Sequence, residues 1–147
     1  MSKPATPVMI EIISRISTED GPEAMRLQVA GRLKETSQGW ILHYVETSCE
    51  PGEEPLSQDV LLQLRPGIVQ MTRSGDFGAV MVFEAGKSFT GAYRTPYGEM
   101  ELQLFTSEVF WEVQADSGKI HLRYELQFQG DSHGIHSMDI LFHPRPC

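Results

Sequence analysis

The chain contains little cysteine and no apolar run long enough to cross a membrane. Its two cysteines, Cys49 and Cys147, have no CxxC spacing, so neither a disulfide framework nor a zinc site is indicated. Free thiols in a reducing compartment are the default, and a Cys49–Cys147 bridge is the alternative. No run approaches the ~20 apolar residues that a spanning helix needs. The N-terminus lacks the apolar core of a signal peptide, so we expect a cytoplasmic protein.

A surplus of basic residues is also missing. Twelve lysines and arginines face twenty aspartates and glutamates, which gives a formal net charge of −8. Nucleic-acid binders draw much of their affinity from neutralising phosphates, and anionic membranes attract basic segments. We therefore expect neither nucleic acid nor a membrane as a partner, and we attribute the acidity to solubility.

The common catalytic motifs are absent as well. The sequence contains no G-x-S-x-G, H-E-x-x-H, Walker A or G-x-G-x-x-G pattern. No residue set predicts a cofactor or a metal. The question of an enzyme stays open, but nothing in the sequence specifies an acid/base or nucleophile pair.

The sequence instead shows strand patterning, most clearly between Arg73 and Thr106. A strand from Ala79 to Phe83 is followed by an extended arm through Tyr93 and by the corner Thr95-Pro96-Tyr97-Gly98. Proline presets φ at the first central position of a turn, and glycine accepts a positive φ two residues later. A strand from Glu99 to Phe105 then alternates apolar and polar residues, as expected of a strand with one buried face.

The same period of two recurs along the chain, with the strand from Ile120 to Phe128 as its clearest example. Eight to ten short strands with short turns predict an all-β fold, and closure into an up-and-down barrel removes exposed edges. We expect a flexible lead at 1–6, one barrel domain at 7–143 and a proline-rich tail at 144–147. Val109 to Val113 is predicted as a separate strand, and Ser57 to Leu64 is the one place for a short helix.

Several motifs resemble those of the YwiB-like family of small bacterial proteins. They are Arg73-Ser74-Gly75, the corner Gly91-x-Tyr93-x-Thr95-Pro96-x-Gly98, Gly118-Lys119-Ile120 leading to Tyr124, and the strand from His136 to Ile140. The resemblance covers about Pro7 to Phe142 and implies a calycin-like, lipocalin-type β-barrel. It implies no activity and supplies no catalytic or ligand residues. The acidic segment from Cys49 to Ser57 and the proline-rich tail depart from the general pattern.

Arg73 is the first candidate ligand-binding residue, because it shares a strand face with Val69 and Met71. An inward-facing arginine needs a partner, since an unpaired buried charge is costly. One interpretation is that Arg73 binds an anionic group of a ligand. The alternative is that it stacks on Trp40 or Trp111 and closes one end of the barrel.

Other polar groups could line the same interior. Tyr93 and Thr95 lie on one face of the arm, and Tyr44 and Tyr124 could add hydroxyls from other strands; alternatively the rings only fill the core. His136 shares parity with Met138 and Ile140, so it is either a hydrogen-bonded core histidine or a site residue. His133 and His136 are three residues apart, which does not suit a shared metal in a strand.

Two functions follow from this candidate barrel. The first is a non-enzymatic protein that binds a small, partly apolar or amphipathic molecule in the barrel interior; an interior packed shut would count against it. The second is a filled barrel that acts as a protein-interaction or assembly module through an exposed face, for which a homodimer is one form. The face that points inward at 40–45 is left open by the sequence.

Overall fold

The computed structural model describes residues 5–18, 21–48, 52, 56–75 and 77–145. Both cysteines, most of the acidic segment after Cys49 and parts of the predicted lead and tail lie outside the described residues. No helix of the described part is long and apolar enough to cross a membrane. The ten strands are β1 (Thr6–Thr18), β2 (Gly21–Glu35), β3 (Trp40–Ser48), β4 (Leu56–Arg65), β5 (Ile68–Gly75), β6 (Gly78–Glu84), β7 (Ser88–Thr95), β8 (Gly98–Gln114), β9 (Ser117–Phe128) and β10 (Asp131–Pro144).

These strands form a closed antiparallel barrel in which each strand pairs with its neighbours along the chain. β1 pairs with β2 on one side and with β10 on the other, from Val8 opposite Pro144 to Ser17 opposite Ile135. Closure therefore gives each of the two terminal strands a partner on both sides. The predicted all-β up-and-down barrel is confirmed.

The alternation of apolar and polar residues determines which face of each strand points inward. On β9, Ile120, Leu122 and Tyr124 are buried while Lys119, Arg123 and Glu125 are exposed. On β3 the inward residues are Trp40, Leu42 and Tyr44, because Leu42 and Tyr44 are almost fully buried. The even-numbered residues of 40–45 therefore point inward, an assignment that the sequence alone left open.

The centre of the barrel is packed with side chains. Ten apolar side chains from seven strands have no solvent-accessible surface, so no space of even water size adjoins them. These residues are Val8, Ile10, Leu42, Val60, Leu62, Leu64, Val69, Phe83, Leu122 and Ile140.

β8 is one long strand where the sequence predicted two. Its pairing with β9 shifts register between Thr106 and Glu108, which marks a β-bulge. The hydroxyl of Ser107 donates to the carbonyl of Arg123 at 3.1 Å across this irregularity. The extra residue at the bulge reverses the alternation along the strand. Even-numbered residues such as Leu104 point inward before it, and Val109 and Trp111 point inward after it, so the strand continues without a turn. The short helix considered at Ser57 to Leu64 was wrong, because these residues belong to β4.

The barrel has two ends, which we name by their residues. At the Arg73 end, β1, β3, β5, β7 and β9 end and β2, β4, β6, β8 and β10 begin. At the opposite, tryptophan end, Trp40 begins β3 and Trp111 lies near the end of β8. The indole of Trp111 donates a 2.7 Å hydrogen bond to the carbonyl of Arg65, which ties β8 to the β4–β5 turn across the barrel.

Candidate functional site

The candidate ligand residues of the inner wall lie in the half of the barrel at the Arg73 end. Cross-strand pairing places Tyr44 beside Val60, Val60 beside Arg73, Arg73 beside Ala79, and Ala79 beside Tyr93. This row runs around the wall across β3 to β7. In this row the small residue Ala79 on β6 lies between Arg73 on β5 and Tyr93 on β7.

Arg73 is held by polar side chains and not by a tryptophan. Its Nη1 donates to Glu46 Oε2 at 2.9 Å and to Gln58 Oε1 at 3.3 Å. The side chain of Arg73 is 20% exposed and that of Glu46 is 35% exposed, so the pair lies at the rim of the core. Trp40 and Trp111 are at the other end, and the predicted tryptophan stack was therefore wrong.

Burial is the largest influence on the ionisation of Arg73, and it opposes the charged form. The carboxylate of Glu46, followed by the phenols of Tyr44 and Tyr124, outweighs burial and raises the pKa of Arg73 above its ordinary value. The guanidinium therefore stays charged at any physiological pH. A permanent cation is thus maintained within the wall of an acidic protein.

Tyr44 and Tyr124 share the surroundings of this cation. They are 2% and 6% exposed. Burial raises the pKa of Tyr44 to about 12, against the opposing charge of Arg73. Burial likewise raises the pKa of Tyr124, and Arg73 again opposes it. Both phenols therefore remain protonated at neutral pH and keep an O–H donor near the guanidinium.

An aromatic group continues from Tyr124 toward the end of the barrel. The ring of Tyr124 stacks on His136 with centroids 5.1 Å apart and an interplanar angle of 8°, and Phe83 meets the same tyrosine edge-on at 4.9 Å. The Nε2 of His136 donates to the carbonyl of His133 at 3.0 Å. Burial lowers the pKa of His136, so the ring is neutral at pH 7 and stacks as an uncharged plane.

Tyr93 belongs to a second aromatic group at the same end. Its ring packs against Phe128 with centroids 5.3 Å apart and against Phe77 at 6.1 Å. Phe128 also meets His133 edge-on at 4.8 Å. Three half-buried aromatic rings, those of Phe77, Tyr93 and Phe128, therefore lie together where the inner wall approaches solvent.

Thr95 does not join this constellation through its hydroxyl. The Oγ1 donates to the carbonyl of Gly98 at 2.9 Å and accepts from the backbone N–H of Tyr97 at 3.1 Å. The threonine thus holds the β7–β8 corner, where Gly98 adopts a φ of 136°. Its contribution is to the turn that positions Tyr93 and Met100 opposite each other.

Sequence reasoning missed the partners of Arg73. Glu46 shares the parity of Leu42 and Tyr44, and Gln58 shares that of Val60 and Leu62, so both lie on inward faces. Parity would have found them once the inward face of β3 was known. Sequence reasoning also missed Thr106, which pairs with Tyr124 across β8 and β9 and whose fully buried Oγ1 has no hydrogen-bond partner in the described part of the chain.

Two histidines of the described residues contact carboxylates, and both lie on the outer wall. His121 donates to Asp139 at 2.7 Å and to Glu108 at 2.8 Å, and these hydrogen bonds, with that to Glu108 the largest influence, raise the pKa of His121. His43 contacts Asp59 at 3.0 Å and lies on the outer face of β3, since Leu42 and Tyr44 point inward. Within the described residues, no group of three or more acidic, histidine or cysteine side chains could hold a metal ion.

Comparisons with known proteins give the same architecture. Residues 10–140 match the model of a domain of unknown function, DUF1934. An uncharacterized β-barrel protein of Bacillus subtilis strain 168, YwiB, is 23% identical over 141 residues, which is 95% of each chain. The crystal structure of the ywiB protein from Bacillus subtilis superposes with a TM-score of 0.83 and covers 99% of this chain and 96% of that one.

Proposed function

The chain belongs to the DUF1934 family, whose description gives no function, and on the geometry alone we propose that it is a binding protein for a small, partly apolar molecule. The ligand lies at the Arg73 end of the barrel and not at its centre. The packed middle layers leave no water-sized space beside their side chains, so a ligand site must lie toward an end.

One observation carries this proposal. An arginine side chain that is four-fifths buried sits in the inner wall, together with two buried tyrosines, at the end where half-buried aromatic rings approach solvent. Ligand sites combine an apolar, aromatic lining with a few convergent polar groups that fix orientation. The tryptophan end is different, because there the indole of Trp111 donates to a backbone carbonyl and ties two elements together.

Binding, and not catalysis, is the function that this set of groups supports. General acid–base catalysis needs a titratable group with a suitable pKa in contact with the reacting atoms. At the Arg73 end, Tyr44 has a pKa of about 12 and His136 donates its Nε2 proton to a backbone carbonyl. These groups hold their protons at neutral pH and are suited to orienting a ligand.

Native mass spectrometry of the chain purified from its own host tests the proposal. We expect a population carrying a small molecule that is released on denaturation. Arg73→Met should lose that population, while the matched control Arg123→Met, an exposed arginine of the outer wall, should keep it. A wild-type chain found only at its bare mass, at several expression levels, would count against binding.

A second candidate function rests on the outer wall. Phe105 is 45% exposed and Ile135 is 44% exposed, and both lie directly opposite Glu125, so two large apolar side chains flank one position of β9. A shallow cavity of about 260 Å³ adjoins Phe105. Such a face fits association of two copies. Light scattering at increasing protein concentration tests this association. We expect a dimer that Phe105→Ser shifts toward monomer, and a wild type that stays monomeric would count against the association.

A further inference from the structure

We propose that the ligand of the Arg73 end is a planar organic monoanion, an aryl carboxylate in its simplest form, whose charged group binds the unoccupied edge of the Arg73 guanidinium. This inference rests on the proposed binding function and specifies the chemical class of its ligand. It also assigns Glu46 a role as the group that limits affinity for anions.

The hydrogen bonding of Arg73 leaves room for such an anion. Within the described part of the chain, both side-chain hydrogen bonds of the guanidinium leave from Nη1, toward Glu46 and Gln58. A guanidinium presents five N–H donors in a planar fork, and Nε with Nη2 forms an edge that matches the two oxygens of a carboxylate. The protein thus fixes the orientation of the arginine through one nitrogen and leaves a bidentate edge available.

Two phenols extend this donor set. Tyr44 lies across Val60 from Arg73, and the charge of Arg73 opposes the effect of burial on the pKa of both Tyr44 and Tyr124. Because burial keeps both hydroxyls protonated, they present neutral O–H donors beside a permanent cation. Among the described residues Arg73 is the only cation that acts on either phenol, so this set of donors suits one negative charge better than two.

The aromatic rings set the shape of the rest of the ligand. Tyr124 and the neutral ring of His136 already form a parallel stack with an interplanar angle of 8°. Tyr93 and Phe128 provide further ring surface at the same end. A planar ligand can add to such surfaces by offset stacking, as aromatic side chains do with one another in proteins.

Glu46 opposes the anion that Arg73 attracts. Its carboxylate lies 2.9 Å from Nη1 of the same guanidinium, so a bound carboxylate on the Nε–Nη2 edge lies a few ångströms from a like charge. The whole chain, with a net charge of −8, adds to this repulsion. The charge of the whole protein therefore favours cationic ligands, and any preference for an anion must come from the local site.

Isothermal titration calorimetry of the full chain with three matched probes tests the inference. The probes share one ring system: 1-naphthoate is anionic, 1-naphthalenemethanol is neutral and 1-naphthylmethylammonium is cationic. We expect wild type to bind naphthoate at least tenfold more tightly than the other two. Arg73→Met should remove this preference, and Tyr44→Phe and Tyr124→Phe should each weaken naphthoate binding severalfold.

The variant Glu46→Gln separates a ligand site from a merely structural ion pair. The amide keeps the shape and an acceptor oxygen but removes the negative charge. Naphthoate should therefore bind severalfold more tightly, with the neutral probe unchanged, whereas the control Glu112→Gln on the outer wall should change neither. If naphthoate and naphthalenemethanol bind equally tightly, and substitution of Arg73 or Glu46 changes neither affinity, the anion inference is overturned while the binding function stands. If none of the three probes binds the wild type or Glu46→Gln at millimolar concentration, the aryl-anion inference fails, whereas the proposed binding function is decided separately by the molecule retained in native mass spectrometry.

Discussion

The pairing of Arg73 with Glu46 should contribute little to stability, and this expectation distinguishes a site from a structural clamp. At about 4 Å and an effective dielectric constant of ~20, two unit charges attract by about 4 kcal/mol. Desolvation of each ion costs several kcal/mol, and a carboxylate that is 35% exposed loses part of the attraction to solvent screening. The two effects nearly cancel, so we expect a net contribution of no more than about 1 kcal/mol.

The two single substitutions should differ in cost. Arg73→Met leaves a carboxylate that water can reach and replaces the cation with an apolar chain of similar length, so the free energy of unfolding should change by less than about 1 kcal/mol. Glu46→Gln leaves a guanidinium that is only 20% exposed without a counter-charge among the described residues, and should cost about 1–2 kcal/mol. A ligand site that retains a buried cation for function has this asymmetry.

Urea unfolding followed by tryptophan fluorescence measures these differences. Both tryptophans lie at the opposite end of the barrel, so they report global unfolding without being disturbed by the substitutions. The denaturant dependence should match wild type, and Arg123→Met and Glu112→Gln serve as controls. A loss of 3 kcal/mol or more in Arg73→Met, with Glu46→Gln near wild type, would identify Arg73 as a structural clamp and refute the reasoning.

Further expectations concern the core, the ends and the histidines. Phe83→Ala removes a ring with no exposure and should cost about 3–5 kcal/mol in urea unfolding, against a much smaller loss for Phe83→Leu. Trp111→Phe removes an indole donor from a carbonyl and should cost about 1–3 kcal/mol by the same measurement. In an NMR titration, His121 should titrate above pH 6.5 and His136 below it; the reverse order would contradict both assignments. Because the folded pKa of His121 is raised, its stabilisation is complete below pH 6.5 and is lost as pH rises through the raised value, so His121→Gln should cost most in acid and least in alkali.

Residue patterning was sufficient to predict the barrel, because one face of nearly every strand is apolar and the other polar. β9 shows this most clearly, and its buried and exposed residues follow the predicted parity. The bulge of β8 was not predictable in the same way. An inserted residue reverses the parity, and from sequence the residues between Phe105 and Val109 look like a break between two strands.

The candidate site could be predicted only in part, for a physical reason. From Trp40 to Val45 both faces of β3 carry apolar or aromatic residues, so parity could not say whether Tyr44 or His43 points inward. Without that assignment Glu46 could not be recognised as the partner of Arg73, which lies 27 residues away in the chain. The contact exists only because β3, β4 and β5 are adjacent in the closed barrel.

Closure of the barrel through β1 and β10 bears on how the protein is made. During synthesis the first strand leaves the ribosome long before Pro144, the partner of Val8, has been translated. Until then one edge of β1 offers unpaired N–H and C=O groups, with Ile10 and Ile12 beside them, to any passing extended chain. A nascent chain that stalls before its last strand therefore keeps this apolar edge open to aggregation.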